Sequence, residues 1–219
     1  MSDQDVFIFE VNQNNFTSTV VSNSNKIPVF VAFMGIWSEH CFKLESILSD
    51  LLSFSRPDQL NLEWLSIEKL LDTSLIATQK LIDDNNVVIN TDYQTGLPTI
   101  LADKTKLRQV FSNLIQNALQ AMDGKENITP AISISAFINI TDLGPMIEIQ
   151  IEDNGIGIDR ETQEKLFEPF FTTRAKGTGL GLAIVKRIIE QHKGQINITS
   201  ELHHGTNVTI ILPMSLTET

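Results

Sequence analysis

Between Glu152 and Leu182 the chain twice breaks a regular pattern with glycine. It reads Glu-Asp-Asn-Gly-Ile-Gly-Ile from residue 152, Phe-Glu-Pro-Phe-Phe-Thr-Thr from residue 167, and Gly-Thr-Gly-Leu-Gly-Leu from residue 177. Seven of the 11 glycines fall between residues 155 and 205. Glycine has no Cβ, so its backbone can approach another group closely or adopt positive φ. The first turn follows an alternating run that ends on an acidic residue. The second opens a helix, whose first N–H groups lack partners within the helix and point outward as an anion site. A fold built on this stretch brings a strand end and a helix start to one ligand. The residues predict a nucleotide pocket, with Asp153 reading the base and Gly177 to Gly181 cradling phosphate.

The flanking sequence supplies the scaffold. Ser66 is placed to cap a helix with apolar positions at Ile67, Leu70, Leu71, Leu75 and Ile76. Residues 85–93 predict a strand, Gly96-Leu-Pro a turn and Thr99 to Ala102 a short strand. Asp103 is placed to cap the next helix. Its stripe of Leu107, Val110, Phe111, Leu114, Ile115, Ala118, Leu119 and Met122 follows the helical period. Asn113 and Asn117 sit off that stripe, one turn apart, where amide oxygens can reach phosphate or Mg²⁺. Solvated surface asparagines are the alternative reading. Strands are predicted over 131–138 and 146–152, with Gly144-Pro145 in the turn between them. Asp159 caps a short helix that stops near Pro169, and residues 167–176 have the length of a lid. A helix from Leu180 to His192, stopped by Gly194, leads to a final hairpin over 195–200 and 207–212.

Composition narrows the class. The chain has 219 residues, 42% hydrophobic and 20% charged, which fits a soluble globular protein of one large or two small domains. A net charge of −11 argues against a general nucleic-acid binder, although Arg174, Lys176, Lys186 and Arg187 form a small basic patch. The single cysteine, Cys41, excludes an internal disulfide framework and fits a reducing compartment. The first residues lack the basic and apolar regions of a secretion signal, and no apolar run is long enough to span a bilayer. A cytoplasmic location with no membrane segment is expected.

Near the N-terminus, residues 5–10 predict a strand, Asn15 to Val21 a helix, and Pro28 to Met34 a buried strand before Trp37 and Cys41. This order resembles the first half of a thioredoxin fold. That family pairs two cysteines at the helix start, whereas Ser38 stands at the first position here, and Ala32 replaces its buried acid. One cysteine cannot both attack and resolve, so redox catalysis is rejected. From Leu44, apolar residues at 44, 47, 48, 51 and 52 form a helical stripe that runs into Phe54-Ser-Arg-Pro. This stretch resembles the end of the second helix in the dimerisation domain of sensor histidine kinases.

The ordered set Asn113-Leu-Ile-Gln-Asn-Ala, Asp153-Asn-Gly-Ile-Gly, Phe167-Glu-Pro-Phe-Phe and Gly177-Thr-Gly-Leu-Gly-Leu resembles the N, G1, F and G2 boxes of the histidine-kinase catalytic domain. That domain belongs to the superfamily shared with gyrase, the MutL repair proteins and heat-shock chaperones. The resemblance covers residues 44 to 213. It implies an α/β fold, an α+β two-layer sandwich of the Bergerat type, after a partial thioredoxin-like α/β segment. The expected layout is residues 1–43 thioredoxin-like, 44–58 the end of a dimerisation helix with its linker, and 59–219 the ATP-binding domain.

The resemblance also implies roles. Asp153 accepts from the adenine amino group, and Gly155 and Gly157 pass close to the base. Asn117 is the Mg²⁺ ligand, with Asn113 facing the phosphates. Gly177, Gly179, Leu180, Gly181 and Leu182 surround the phosphates, Thr206 lines the pocket, and Arg174 or Lys176 reaches the γ-phosphate. The expected cofactors are ATP (or ADP) and Mg²⁺. None of His40, His192, His203 and His204 fits the family's phosphoacceptor pattern, and surface or turn roles are expected for all four. The acceptor histidine is therefore expected on a separate domain, with the chain inactive alone, and with a response regulator and a homodimer as further partners. An ATPase is the alternative. Its relatives carry a water-activating glutamate on the asparagine helix, where Asn113 and Gln116 stand here. A nucleotide-binding assembly module without catalysis is the third reading.

Overall fold

The structure, a computed structural model, describes residues 59–122, 129–142, 144–174 and 177–214. The thioredoxin-like expectation over 1–43 and the helix from Leu44 lie outside these residues, as does Lys176. In chain order the elements are β1 (Glu63–Leu65), α1 (Ile67–Asp84), β2 (Val88–Tyr93), β3 (Ile100–Ala102), α2 (Lys104–Gln120), β4 (Ala131–Thr141), β5 (Gly144–Asp153), α3 (Arg160–Lys165), α4 (Gly181–Gln191), β6 (Gln195–Glu201) and β7 (Gly205–Pro213).

β2, β4, β5, β7 and β6 form one mixed sheet in that spatial order, and β1 pairs with β3 in a separate two-stranded ribbon. Parallel pairing of β2 with β4 requires a crossover, which α2 helps supply. The other neighbours in the sheet are antiparallel. The register stacks apolar rows on one face: Ile134, Ile151, Val208 and Ile198, then Ala136, Ile149, Ile210 and Ile196. These rows join the apolar stripes of α1, α2 and α4 in one core. The mixed two-layer α/β arrangement expected from the sequence is present.

Helix starts follow their caps. The Ser66 hydroxyl accepts from the Lys69 N–H at 3.3 Å, and the Asp103 Oδ1 from the Lys106 N–H at 3.0 Å. The eight apolar positions expected on α2 are all buried.

Three local expectations need correction. Ile76 is 73% exposed, and the buried face of α1 runs through Ile67, Leu70, Leu71, Ser74, Thr78 and Ile82. Ser74 and Thr78 can be buried because their hydroxyls donate to carbonyls of their own helix, Leu70 O at 2.8 Å and Ser74 O at 3.1 Å. Gly144 and Pro145 are the first residues of β5, paired with Thr141 and Ile140, rather than a turn. A proline fits there because a strand's first residues need not all donate. Asn85 and Asn86 close the end of α1 instead of starting β2.

Candidate active site

The sheet's apolar row gives way to polar side chains at one end. There Ile132, Asp153, Thr206 and Ser200 stand side by side across β4, β5, β7 and β6. Asp153 is only 7% exposed and Thr206 8%. The Asp153 Oδ1 accepts from the Gly155 N–H at 2.8 Å, which turns the chain sharply out of β5. That bond fixes the orientation of the buried carboxylate at the strand end. The Ser200 hydroxyl lies 3.0 Å from the Thr206 Oγ1, accepts from the Ile158 N–H at 2.8 Å and donates to Gly205 O at 2.7 Å. Ser200 thus fixes the wall next to Thr206.

The loop after Asp153 is pressed between two elements. The Ile156 N–H donates to Ala121 O, just past the end of α2, at 2.8 Å, and the His203 N–H donates to Ile156 O at 2.6 Å. A Cβ on Gly155 would lie 2.6 Å from Ala121 O, so only glycine permits this approach. At Gly157 the backbone has φ of 67°, and a Cβ would overlap the backbone of Glu201. Gly155 therefore lets the C-terminal end of α2, the helix that carries Asn113 and Asn117, dock beside the Asp153 strand end, while Gly157 seats the same loop against the β6–β7 turn. Asn154 holds the other side: its Oδ1 accepts from the Ala131 N–H and its Nδ2 donates to Thr129 O, both at 2.9 Å.

The second glycine turn closes on the segment after α3. The Asp159 carboxylate caps that short helix: it accepts from the Thr162 hydroxyl at 2.7 Å and from the Thr162 N–H at 2.9 Å, which together hold the carboxyl below its usual range. The Phe170 N–H donates to Gly179 O at 2.9 Å. Gly179, with φ of 69°, packs against the Phe170 backbone where a Cβ has no room. Lys186 on α4 lies 5.2 Å from the centroid of the Phe167 ring. The loop between Phe171 and Thr178 thus leaves and rejoins the domain at one point. Within it the Gly177 N–H turns back to Arg174 O at 3.1 Å, and the Leu180 N–H donates to the Thr178 hydroxyl at 3.3 Å.

α4 begins at Gly181 with no side-chain cap, and its first helical bond runs from the Ile184 N–H to Leu180 O. The N–H groups of Gly181 and Leu182 precede that bond, so the helix presents the anion-favouring end that the sequence anticipated.

Arg174 reaches across to α2. Its guanidinium donates to the Asn117 Oδ1 and to the Asn117 backbone O, each at 3.2 Å, and also to the Gln120 Oε1. The structure therefore joins Arg174 to Asn117, two residues the sequence proposed separately. Gln120 carried no sequence signal beyond its helical spacing from Asn117.

An amide oxygen suits a hard cation, and the described residues contain no group of three His, Cys, Asp or Glu that could hold a metal. Mg²⁺ at Asn117 would thus draw its remaining oxygens from phosphate and water, which matches that ion's habit. The residues fit the metal in that sense.

His192 departs from the surface role expected of it. It is 1% exposed, its Nε2 accepts from the Asp103 N–H at 3.0 Å, and its Nδ1 lies 2.8 Å from Ile188 O. Since a carbonyl only accepts, Nδ1 carries the proton and the ring is neutral. Burial pushes its pKa below the ordinary imidazole value, while the Ile188 carbonyl and the Asp103 carboxylate pull the other way. The ring ties the C-terminal end of α4 to the cap of α2. No helix among the described residues is long and apolar enough to cross a membrane.

Comparison with known proteins places this site within a known family's matched region. The family model for histidine kinase-, DNA gyrase B- and HSP90-like ATPases matches residues 102–216. The signal transduction histidine-protein kinase AtoS of Escherichia coli strain K12 is 34% identical over 188 residues, covering 86% of this chain and 30% of AtoS. The crystal structure of full-length ShkA in complex with AMPPNP aligns with a TM-score of 0.70 at 26% identity, over 83% of this chain and 38% of that one. The catalytic domain of the histidine kinase ThkA aligns with a TM-score of 0.61 at 26% identity, over 71% of this chain and 97% of that one. The chain spans less than half the length of the curated relatives it matches. With the matched residues running from β3 to just beyond β7 and enclosing the Asp153 strand end, the chain belongs to the histidine kinase-, gyrase B- and HSP90-like ATPase family and carries the ATP-binding catalytic domain of the histidine-kinase kind.

Proposed function

We propose that this domain binds Mg²⁺·ATP and passes the γ-phosphoryl group to a histidine on a separate phosphoacceptor domain. One observation carries the reading: α2, with its asparagine pair, is docked through Ala121 onto the glycine loop that leaves Asp153. Base recognition and metal binding thereby meet at one place. In this reading Asp153 accepts from the adenine amino group, which guanine lacks at that position, and Thr206 lines the same wall. Gly155 and Gly157 keep the loop flat against the base. Asn117 holds Mg²⁺ and Asn113 faces the phosphates, while Gly179, Leu180, Gly181 and Leu182 bring the start of α4 toward them. Gly177 shapes the loop that carries Arg174 and Lys176. Mg²⁺ supplies charge neutralisation for the transferring group, and the chain supplies position, which is most of what phosphoryl transfer asks of a protein.

The acceptor is assigned elsewhere because none of His40, His192, His203 and His204 fits the family's acceptor pattern, and because His192 is also buried with both ring nitrogens engaged. Residues 1–43 are read as a partial thioredoxin-like segment and 44–58 as the end of a dimerisation-domain helix with its linker. A homodimer, a response regulator downstream and a cytoplasmic location complete the proposal. Labelled ATP mixed with the chain and a separate phosphoacceptor domain should place label on that domain, dependent on both the chain and Mg²⁺. Absence of label, or steady phosphate release without acceptor, would turn the reading toward a nucleotide-binding module or an ATPase.

A further inference from the structure

Asn113, Asn117 and Gln120 recur at helical spacing along α2, so Gln120 extends the asparagine ridge by one turn toward the helix end. The Arg174 guanidinium lies on that end. It meets the Asn117 side-chain oxygen, the Asn117 carbonyl and the Gln120 side-chain oxygen. The last turn of a helix is where carbonyl oxygens and the helix dipole favour a cation. Three acceptors in one place suit the planar fork of arginine better than the single ammonium of lysine. The backbone of Arg174 is held as well: its N–H donates to the Thr172 hydroxyl at 3.1 Å, and its carbonyl accepts from the Gly177 N–H at 3.1 Å.

We infer that Gln120 and Asn117 form a seat for Arg174, and that Arg174 and Mg²⁺ are alternative occupants of Asn117, with Gln120 as the positioning residue. The inference rests on the proposal that Asn117 is the metal ligand. A guanidinium nitrogen stands 3.2 Å from the Asn117 Oδ1. Mg²⁺ on that same oxygen would lie about 2.1 Å from it, so the two cations would crowd one amide. Binding the metal therefore expels Arg174 from α2 and frees it to face the phosphates. Arriving metal and moving lid cation become one event. Gln120 sets how much Mg²⁺ that event requires, because it stabilises only the seated arrangement.

The test uses the full chain and its Gln120→Ala and Arg174→Lys variants. Trypsin cleaves after Arg174 and after Lys176, and only a side chain free of α2 can enter the protease. Without nucleotide, cleavage at position 174 relative to Lys176 should rise about threefold to tenfold in Gln120→Ala, the range expected for losing one hydrogen bond to a charged group at a solvent-accessible site. In a second arm, Mg²⁺ is titrated at fixed ADP and nucleotide binding is followed. Gln120→Ala should lower the half-maximal Mg²⁺ while leaving ADP affinity in excess chelator unchanged, and Arg174→Lys should lower the half-maximal Mg²⁺ as well. An unchanged cleavage ratio with an unchanged Mg²⁺ midpoint, or a midpoint shifted upward, would overturn the seat. If the wild-type chain bound no ADP at any Mg²⁺ concentration, the proposed function would fail instead, and the cleavage ratio would still judge the seat.

Discussion

Replacing His192 by leucine should destabilise the domain and flatten its stability at acidic pH. The wild-type ring is neutral, accepts from the Asp103 N–H at 3.0 Å and packs at 1% exposure. Leucine fills a comparable volume but leaves that buried N–H unpaired, which costs about 1–3 kcal/mol. Imperfect shape fit adds about 1 kcal/mol more. The pH effect follows from the lowered pKa of the buried ring. The unfolded chain takes up the proton near the ordinary value of about 6.5, while the folded ring resists it. The unfolded state then binds more protons, so stability is fully present above that value and is lost as pH falls toward the folded pKa. The loss is at most about 1.4 kcal/mol per pH unit from this one group. Protonation also sets an imidazolium N–H against the Asp103 N–H, loosening the cap of α2 and hence the ridge that carries Asn117. Urea unfolding at pH 8 and pH 5.5 would measure both effects. The variant should lose stability at pH 8 and show a smaller drop between the two pH values than wild type. Equal stability at pH 8 together with an unchanged drop would refute the assignment of His192 as the tie between α4 and α2.

Two glycines in the site should respond in opposite ways to alanine. Gly155→Ala forces a Cβ to 2.6 Å from Ala121 O and should cost about 1–3 kcal/mol in thermal or urea unfolding, whereas a Cβ on Gly181 meets nothing within 4 Å. Gly181→Ala should therefore keep or slightly raise stability, by up to about 1 kcal/mol, in the same assay. Asn154→Ala removes an acceptor and a donor that close β5 onto the start of β4, leaving the Ala131 N–H without its 2.9 Å partner. Unfolding should register a loss of about 1–3 kcal/mol, and hydrogen exchange at Ala131 should accelerate.

Periodicity made α2 readable because every apolar position of its stripe is buried as the pattern requires. The glycine turns were readable for a different reason: a close backbone approach leaves a mark in composition that a packed side chain does not. α1 was read only in part, since Ser74 and Thr78 look polar in sequence yet satisfy themselves on their own helix and face the core. Ile76, apolar in sequence, is left outside. His192, Ser200 and Asn154 escaped notice because their partners are 89, 42 and 23 residues away, and no local spacing announces such pairs. Gln120 and Arg174 illustrate the same limit, since 54 residues separate them and only the fold places one on the other.

The central claim is that Asp153 selects adenine at the end of β5, beside the asparagine ridge of α2. Calorimetric titration of the full chain with a non-hydrolysable ATP analogue, with and without Mg²⁺, tests it most directly when paired with Asp153→Asn and with the matching guanine nucleotide. Wild type should bind the adenine analogue in a Mg²⁺-dependent manner and prefer it over the guanine analogue. Asp153→Asn should weaken adenine binding about tenfold or more, the cost of losing a hydrogen bond to a buried charged acceptor, while the variant stays folded. Equal affinity for both bases, or unchanged affinity in folded Asp153→Asn, would contradict the account.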